Sequence, residues 1–140
     1  MVKVIIGPQG SGKTGRLIDA VNQYAGDEAA NVVLVEHGRR LDRVVSHRIR
    51  LVEITEYPID GYDSLLGFIG GLCAMDYDLT DIYIDSLFKV AGSDDLDEAA
   101  LFLEKLEVFS QAHEVDVHLI ISMREEDIPE ALHAYEHGEL

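Results

Sequence analysis

Basic residues are scarce in this chain. Eleven Lys and Arg stand against 27 Asp and Glu, a formal net charge of −16 over 140 residues. Such a surface repels nucleic acid and anionic membranes except where a local patch reverses the field. Cysteine is scarcer still. Cys73 stands alone in an apolar stretch, which excludes an intramolecular disulfide and reads as a small core hydrophobe. No apolar run approaches the roughly 20 residues of a membrane span. Lys3 and Gly7-Pro8 break the N-terminal run before it resembles a secretory signal. Repeats, low-complexity tracts and linkers are missing, as is any Asn/Thr-Lys-x-Asp tetrapeptide of the guanine-reading type. What is present suits one domain, 1–140, since a 47% apolar fraction is too high for a disordered chain.

The residues that remain alternate between two periods. Short β-branched runs at 2–6, 32–36, 50–54, 81–85 and 117–122 predict strands, and helical spacing predicts helices at about 13–25, 39–46, 61–75, 95–113 and 127–137. Strands alternating with helices imply an α/β fold, a mostly parallel sheet covered by helices on both faces. Gly26, Asp60-Gly61 and Gly92-Ser93-Asp94-Asp95 punctuate the helices. The glycines at 67, 70 and 71 predict close packing of the third helix on the sheet. Leu65, Leu66, Phe68, Ile69, Leu72 and Met75 of that helix are expected in the core, as are Leu96, Leu101, Leu103, Leu106 and Phe109 of the fourth.

One segment carries chemistry directly. After the strand comes Gly7-Pro8-Gln9-Gly10-Ser11-Gly12-Lys13-Thr14, which fits the phosphate-binding pattern G-x-x-x-x-G-K-S/T between a strand and a helix. Glycines let successive backbone N–H groups curl round an anion. The helix that follows aims its positive end at the same place. Lys13 is expected to reach the β- and γ-phosphates, and the Thr14 hydroxyl to ligate Mg²⁺. The expected ligands are therefore ATP and Mg²⁺, and the expected location is the cytoplasm.

In an open parallel sheet, ligands bind at the carboxyl ends of the strands, and this selects three further residues. Asp85 ends the run Asp81-Ile82-Tyr83-Ile84-Asp85 and is the expected second Mg²⁺ group, in the Walker-B manner. Glu36 ends the second strand, where a carboxylate orients the water attacking the γ-phosphate. Ser122 ends the last strand and is placed to sense that phosphate or water. The five arginines of Arg39–Arg50 form either a solvated face or a contact for a neighbouring subunit, an acidic protein partner or a phosphate. Arg39 and Arg40, directly behind the Glu36 strand end, are the first candidates for an arginine finger. His133 and His137, with Glu130, read as a polar terminal helix rather than a metal site.

The order of these segments, Gly7–Thr14, then Val32–His37 with Leu41-Asp42, then Ile82–Leu87, resembles the nucleotide-binding core of RecA-like ATPases over residues 1–123. In size the chain is similar to small stand-alone bacterial P-loop ATPases of unassigned role. The resemblance implies a three-layer αβα P-loop NTPase fold and a catalytic glutamate at the second strand end, which is Glu36, because Ser86 follows Asp85. Ser122 stands where the family has an amide. The expected sheet order is 3-2-4-5-1, with an arginine helix joining strands 2 and 3 and right-handed crossovers throughout. The implied activity is Mg²⁺-dependent ATP binding with slow hydrolysis. A nucleotide-binding switch and a small-molecule kinase are the alternatives. Thymidine kinases share the loop, but Ser86 replaces their carboxylate and no cysteine-rich zinc lasso follows.

Overall fold

Residues 1–137 are described in the computed structural model of the chain. Five strands form at Val2–Gly7 (β1), Val32–Glu36 (β2), Arg50–Glu53 (β3), Asp81–Ile84 (β4) and Asp116–Ser122 (β5). They make one sheet in the order β1-β5-β4-β2-β3, and every neighbouring pair is parallel. Read from the other edge this is 3-2-4-5-1, the order expected from the sequence. β5 therefore lies between β1 and β4. Helices form at Lys13–Gln23 (α1), Tyr62–Met75 (α2), Leu87–Ala91 (α3), Leu96–His113 (α4) and Glu130–His133 (α5). None is long and apolar enough to cross a membrane.

Period-2 alternation sorts the strand side chains onto two cores. On one face Leu34, Tyr83 and Ile120 pack with Leu17 and Val21 of α1, all five essentially sealed from solvent. On the other, Val35, Ile84 and Leu119 pack with Leu65 and Ile69 of α2 and Leu103 and Leu106 of α4. Cys73 belongs to this second core as a buried free thiol, and burial, aided by Asp76, raises its pKa. Continuing the same alternation by two residues puts Glu36, Asp85 and Ser122 on the α1 face, at the carboxyl end of the sheet. Gly7 pairs with Ser122 in register there. The rule that named these residues from sequence is thus a statement about parity.

Five expectations fail locally. Met75 and Leu101, expected in the core, are 88% and 51% exposed, Met75 because it is the last residue of α2 and Leu101 because it lies on the outer side of α4. No helix spans 39–46; only a 3₁₀ turn at Leu41–Arg43 forms. Gly38 and Arg40 both adopt left-handed backbone (φ 69° and 53°), a conformation that cannot start a right-handed helix. Instead of the helix at 127–137, α5 makes one turn. Pro129 stands at its start, and beyond it the Tyr135 carbonyl and the His137 N–H bond to Val4, edging β1 with one more bridge. The glycines of α2 do not bring helix and sheet together. A Cβ at Gly67 or Gly71 would meet nothing within 4 Å, and one at Gly70 would only touch Phe109 of α4 at 4.0 Å. Finally, α3 was not anticipated, since a five-residue helix is too short to show a period.

Candidate functional site

Between β1 and α1 the backbone turns tightly. Gly10 and Gly12 take φ of 82° and 83°, which glycine alone adopts without strain. Gly7 is constrained by space, because a Cβ there would sit 3.1 Å from the Ser11 hydroxyl and 3.6 Å from the Lys13 chain. Lys13 crosses the loop: its Nζ donates to the Pro8 carbonyl at 2.7 Å and to Ser11 Oγ at 3.3 Å. Only 6% of the residue is exposed. Burial lowers the ammonium's pKa, the cation of Arg39 pushes the same way, and the Asp85 carboxylate opposes both. A cation held under such pressure gains from any anion that enters the loop.

Asp85 sits directly across from α1 and is 1% exposed. Its Oδ1 accepts from Thr14 Oγ1 at 3.2 Å and from Ser86 Oγ at 3.4 Å. Among the described residues Oδ2 has no hydrogen-bond donor. It lies 3.2 Å from Arg39 Nε, a pairing of charge without hydrogen-bond geometry. Arg39 Nη2 also lies 3.5 Å from Ser86 Oγ. Ser86 itself is a non-glycine residue at φ 66°, a costly conformation that concentrates at functional sites.

The cavity over the loop holds about 430 Å³ and is lined by Gln9, Gly12, Lys13, Thr14, Arg39 and Ser122 among others. Ser122 is therefore brought to the loop. Glu36 is not among the residues around that cavity. It is 1% exposed; its Oε2 accepts the Leu41 N–H at 2.9 Å and its Oε1 has no hydrogen-bond partner among the described residues. It lines a separate cleft of about 790 Å³ with Arg40, Asp42, Arg43, Glu53 and Glu56. Glu53, the register partner of Glu36 on β3, was missed by sequence reasoning. Burial by itself would raise its pKa. The N–H groups of Thr55 and Gly38, the Thr55 hydroxyl and the charge of His37 together bring it below the ordinary value.

No known family model and no curated protein matches the chain. The reading of the site therefore rests on its geometry and chemistry.

The residues fit a magnesium ion by the chemistry of their donors. Mg²⁺ takes oxygen ligands, and binds through one or two protein groups plus substrate phosphates rather than in a closed protein cage. Thr14 Oγ1 and Asp85 are such a pair, and Asp85 Oδ2 is a buried oxygen without a donor. Among the described residues no cluster of three or more His, Cys, Asp or Glu side chains forms a metal site of its own. His133 instead pairs with Glu136 at 2.9 Å. The contact the sequence could not supply is Arg39 to Asp85. Its one legible signal is that Arg39 follows a strand end of the site by three residues.

Proposed function

We propose that this chain binds a magnesium–nucleoside triphosphate, ATP by preference, in the loop Gly7–Thr14 and hydrolyses it slowly in a P-loop NTPase fold of RecA-like type. The observation that carries the reading is the convergence, in one cavity, of Lys13, of Thr14 bonded to Asp85, and of a glycine-shaped turn opening into α1. Lys13 supplies charge to the β- and γ-phosphates, and the backbone N–H groups of the loop receive the remaining oxygens. Thr14 and Asp85 hold the magnesium ion, which neutralises the triphosphate as negative charge builds during transfer. Ser122 stands ready to donate to the terminal phosphate. Glu36 is the carboxylate nearest to the role of orienting water, and its free Oε1 is the atom that would accept the proton. This chemistry belongs where ATP and Mg²⁺ are abundant, in the cytoplasm. The acidic surface argues against nucleic acid as partner, while the exposed Arg40, Arg43, Arg48 and Arg50 are the contact offered to a protein partner or another copy.

A second reading, a switch that holds ATP without turning it over, is favoured by one observation: Glu36 opens on the cleft beside the phosphate cavity rather than on the cavity itself. Calorimetry separates binding from turnover. Lys13→Ala removes the only ammonium in the loop, so Mg·ATP affinity is expected to fall at least about tenfold, equivalent to 1.4 kcal/mol. Because Lys13 is buried and ties Pro8 to Ser11, the variant's melting temperature is measured alongside. Unchanged affinity in a folded variant removes the phosphate-loop reading. Phosphate release with and without added acceptor alcohols then divides hydrolase, switch and kinase.

A further inference from the structure

We propose that Arg39 acts on the site of its own chain: it neutralises Asp85 while the loop is empty, and passes its guanidinium to the terminal phosphate when the magnesium–triphosphate enters. The proposal rests on the nucleotide-binding reading above. A sequence reading of the arginine stretch offers Arg39 to a neighbouring subunit; the geometry points inward instead.

Three observations carry it. First, Asp85 is sealed from solvent, and a buried carboxylate is stable only with a counter-charge and donors. Thr14 and Ser86 serve Oδ1, and nothing donates to Oδ2. Among the described residues the cation in ion-pair contact with that oxygen is Arg39, at 3.2 Å and without hydrogen-bond geometry. A guanidinium prefers to meet a carboxylate through two parallel N–H groups; here it meets one oxygen, off-angle. The pair is electrostatic and replaceable. Second, Arg39 already borders the phosphate cavity with Lys13 and Ser122. Two cations thus face one cavity, an arrangement that the negative charge of a triphosphate suits. Third, Arg39 stands on a short arch, with its side chain partly open to solvent. Gly38 and Arg40, on either side, both take positive φ. The arch is fastened at its two ends, where the Gly38 N–H donates to Glu53 and the Leu41 N–H to Glu36. About a third of the Arg39 side chain is exposed (35%).

The sequence of events follows from charge. With the loop empty, Arg39 balances Asp85. Were Asp85 and Thr14 to hold the magnesium of an incoming nucleotide, Asp85 would no longer need an organic counter-ion, and the guanidinium, already at the cavity's edge, would find phosphate oxygens that suit its planar fork better. Arg39 is then a positioning and charge-stabilising residue for the third phosphate, and contributes little to a diphosphate.

The test is calorimetry with Mg·ATP and Mg·ADP on the wild-type chain, Arg39→Ala and Arg39→Lys. Arg39→Ala is expected to lose about tenfold in the ratio of ATP to ADP affinity, with ADP affinity itself altered less than about twofold; Arg39→Lys, which keeps the charge and loses the fork, falls between. Mixing Arg39→Ala with Lys13→Ala distinguishes one chain from two, since the latter donates an arginine but no loop. Recovery of the ratio in the mixture overturns the proposal, and no recovery supports it. A ratio unchanged in Arg39→Ala overturns it while leaving nucleotide binding intact. A wild-type chain that binds neither nucleotide overturns the nucleotide-binding reading and this proposal together. Melting in the absence of nucleotide gives an independent readout: Arg39→Ala is expected to melt below wild type, and the double variant Arg39→Ala/Asp85→Asn to recover part of that loss. A loss of the same size in the double variant means that Arg39 does not act through Asp85, and overturns the first half of the proposal.

Discussion

Glu36 and Asp85 are both buried carboxylates at neighbouring strand ends, yet their surroundings assign them different work. Asp85 is held by two hydroxyls and a cation; among the described residues Glu36 has one backbone donor and one oxygen with no hydrogen-bond partner. Neutralising each in turn therefore gives different losses. Glu36→Gln keeps an acceptor for the Leu41 N–H through the amide oxygen, and an amide is less costly to bury than a carboxylate, so the fold and Mg·ATP binding are retained. Phosphate release under single-turnover conditions is expected to drop by ~10²-fold or more, the range for losing a general base. Asp85→Asn acts through the metal instead, so nucleotide affinity and its Mg²⁺ dependence decline together. If both variants lower binding alike and leave the single-turnover rate of bound ATP untouched, Glu36 is a structural carboxylate and the switch reading gains.

The strands were legible in the sequence for a physical reason. In a parallel sheet covered on both faces a strand has no solvent side, so Val32-Val33-Leu34-Val35 and Ile82-Tyr83-Ile84 appear as unbroken apolar runs. Strand-end polar residues then stand out, and the site was readable to that extent. The segment joining β2 to β3 was not. Its helical-looking spacing lost to contacts distant in sequence: Asn22 of α1 accepts the Ser46 N–H and donates to the Val44 carbonyl, both at 2.9 Å, and Arg48 reaches the Ala25 carbonyl at 3.3 Å. No spacing rule states where a loop arginine comes to rest, so the pairing of Arg39 with Asp85 was invisible. Glu53 fastens this segment to β3 through Gly38, and that makes the arch sensitive to acid. A carboxyl whose pKa is lowered in the folded chain stabilises it fully above the ordinary value of 4.5, and the contribution is lost as pH falls from there through the lowered value. Replacing Glu53 by Gln removes this dependence. Thermal melts in steps below pH 4.5 are expected to show a steeper fall for the wild type than for Glu53→Gln, the two curves converging at the acid end. Parallel curves throughout would show that the fastening carries no free energy.

At the scale of the whole molecule, charge is the dominant property, and it acts against the compact state. The sum of −16 is unevenly spread: residues 71–140 hold 18 of the acidic residues and three basic ones, while the arginines gather at 39–50. Acidic side chains on α4 and in the turn Glu125–Asp127 therefore repel one another across a surface with few cations to break up the field. Several of the ion pairs lie at the surface, as Arg124 with Asp127 and Lys105 with Asp63 do, and exposed pairs contribute little. The pair of Arg39 with Asp85, whose carboxylate is sealed from solvent, is poorly screened by salt. Raising ionic strength from about 0.01 M to 0.15 M shortens the screening length from about 30 Å to about 8 Å, which suppresses the long-range repulsion and leaves the site's own pairing nearly intact. The nucleotide-free protein is thus expected to gain melting temperature over that range, by a few degrees if the relief is about 1 kcal/mol for a domain of this size. Calorimetric melts in KCl at fixed pH check this, and substituting a large monovalent anion for chloride should leave the gain unchanged because screening does not depend on the ion's identity. A melting temperature that falls with salt would mean that surface attractions outweigh the repulsion implied by the net charge, and that the basic segment 39–50 is already engaged with the acidic half of its own chain.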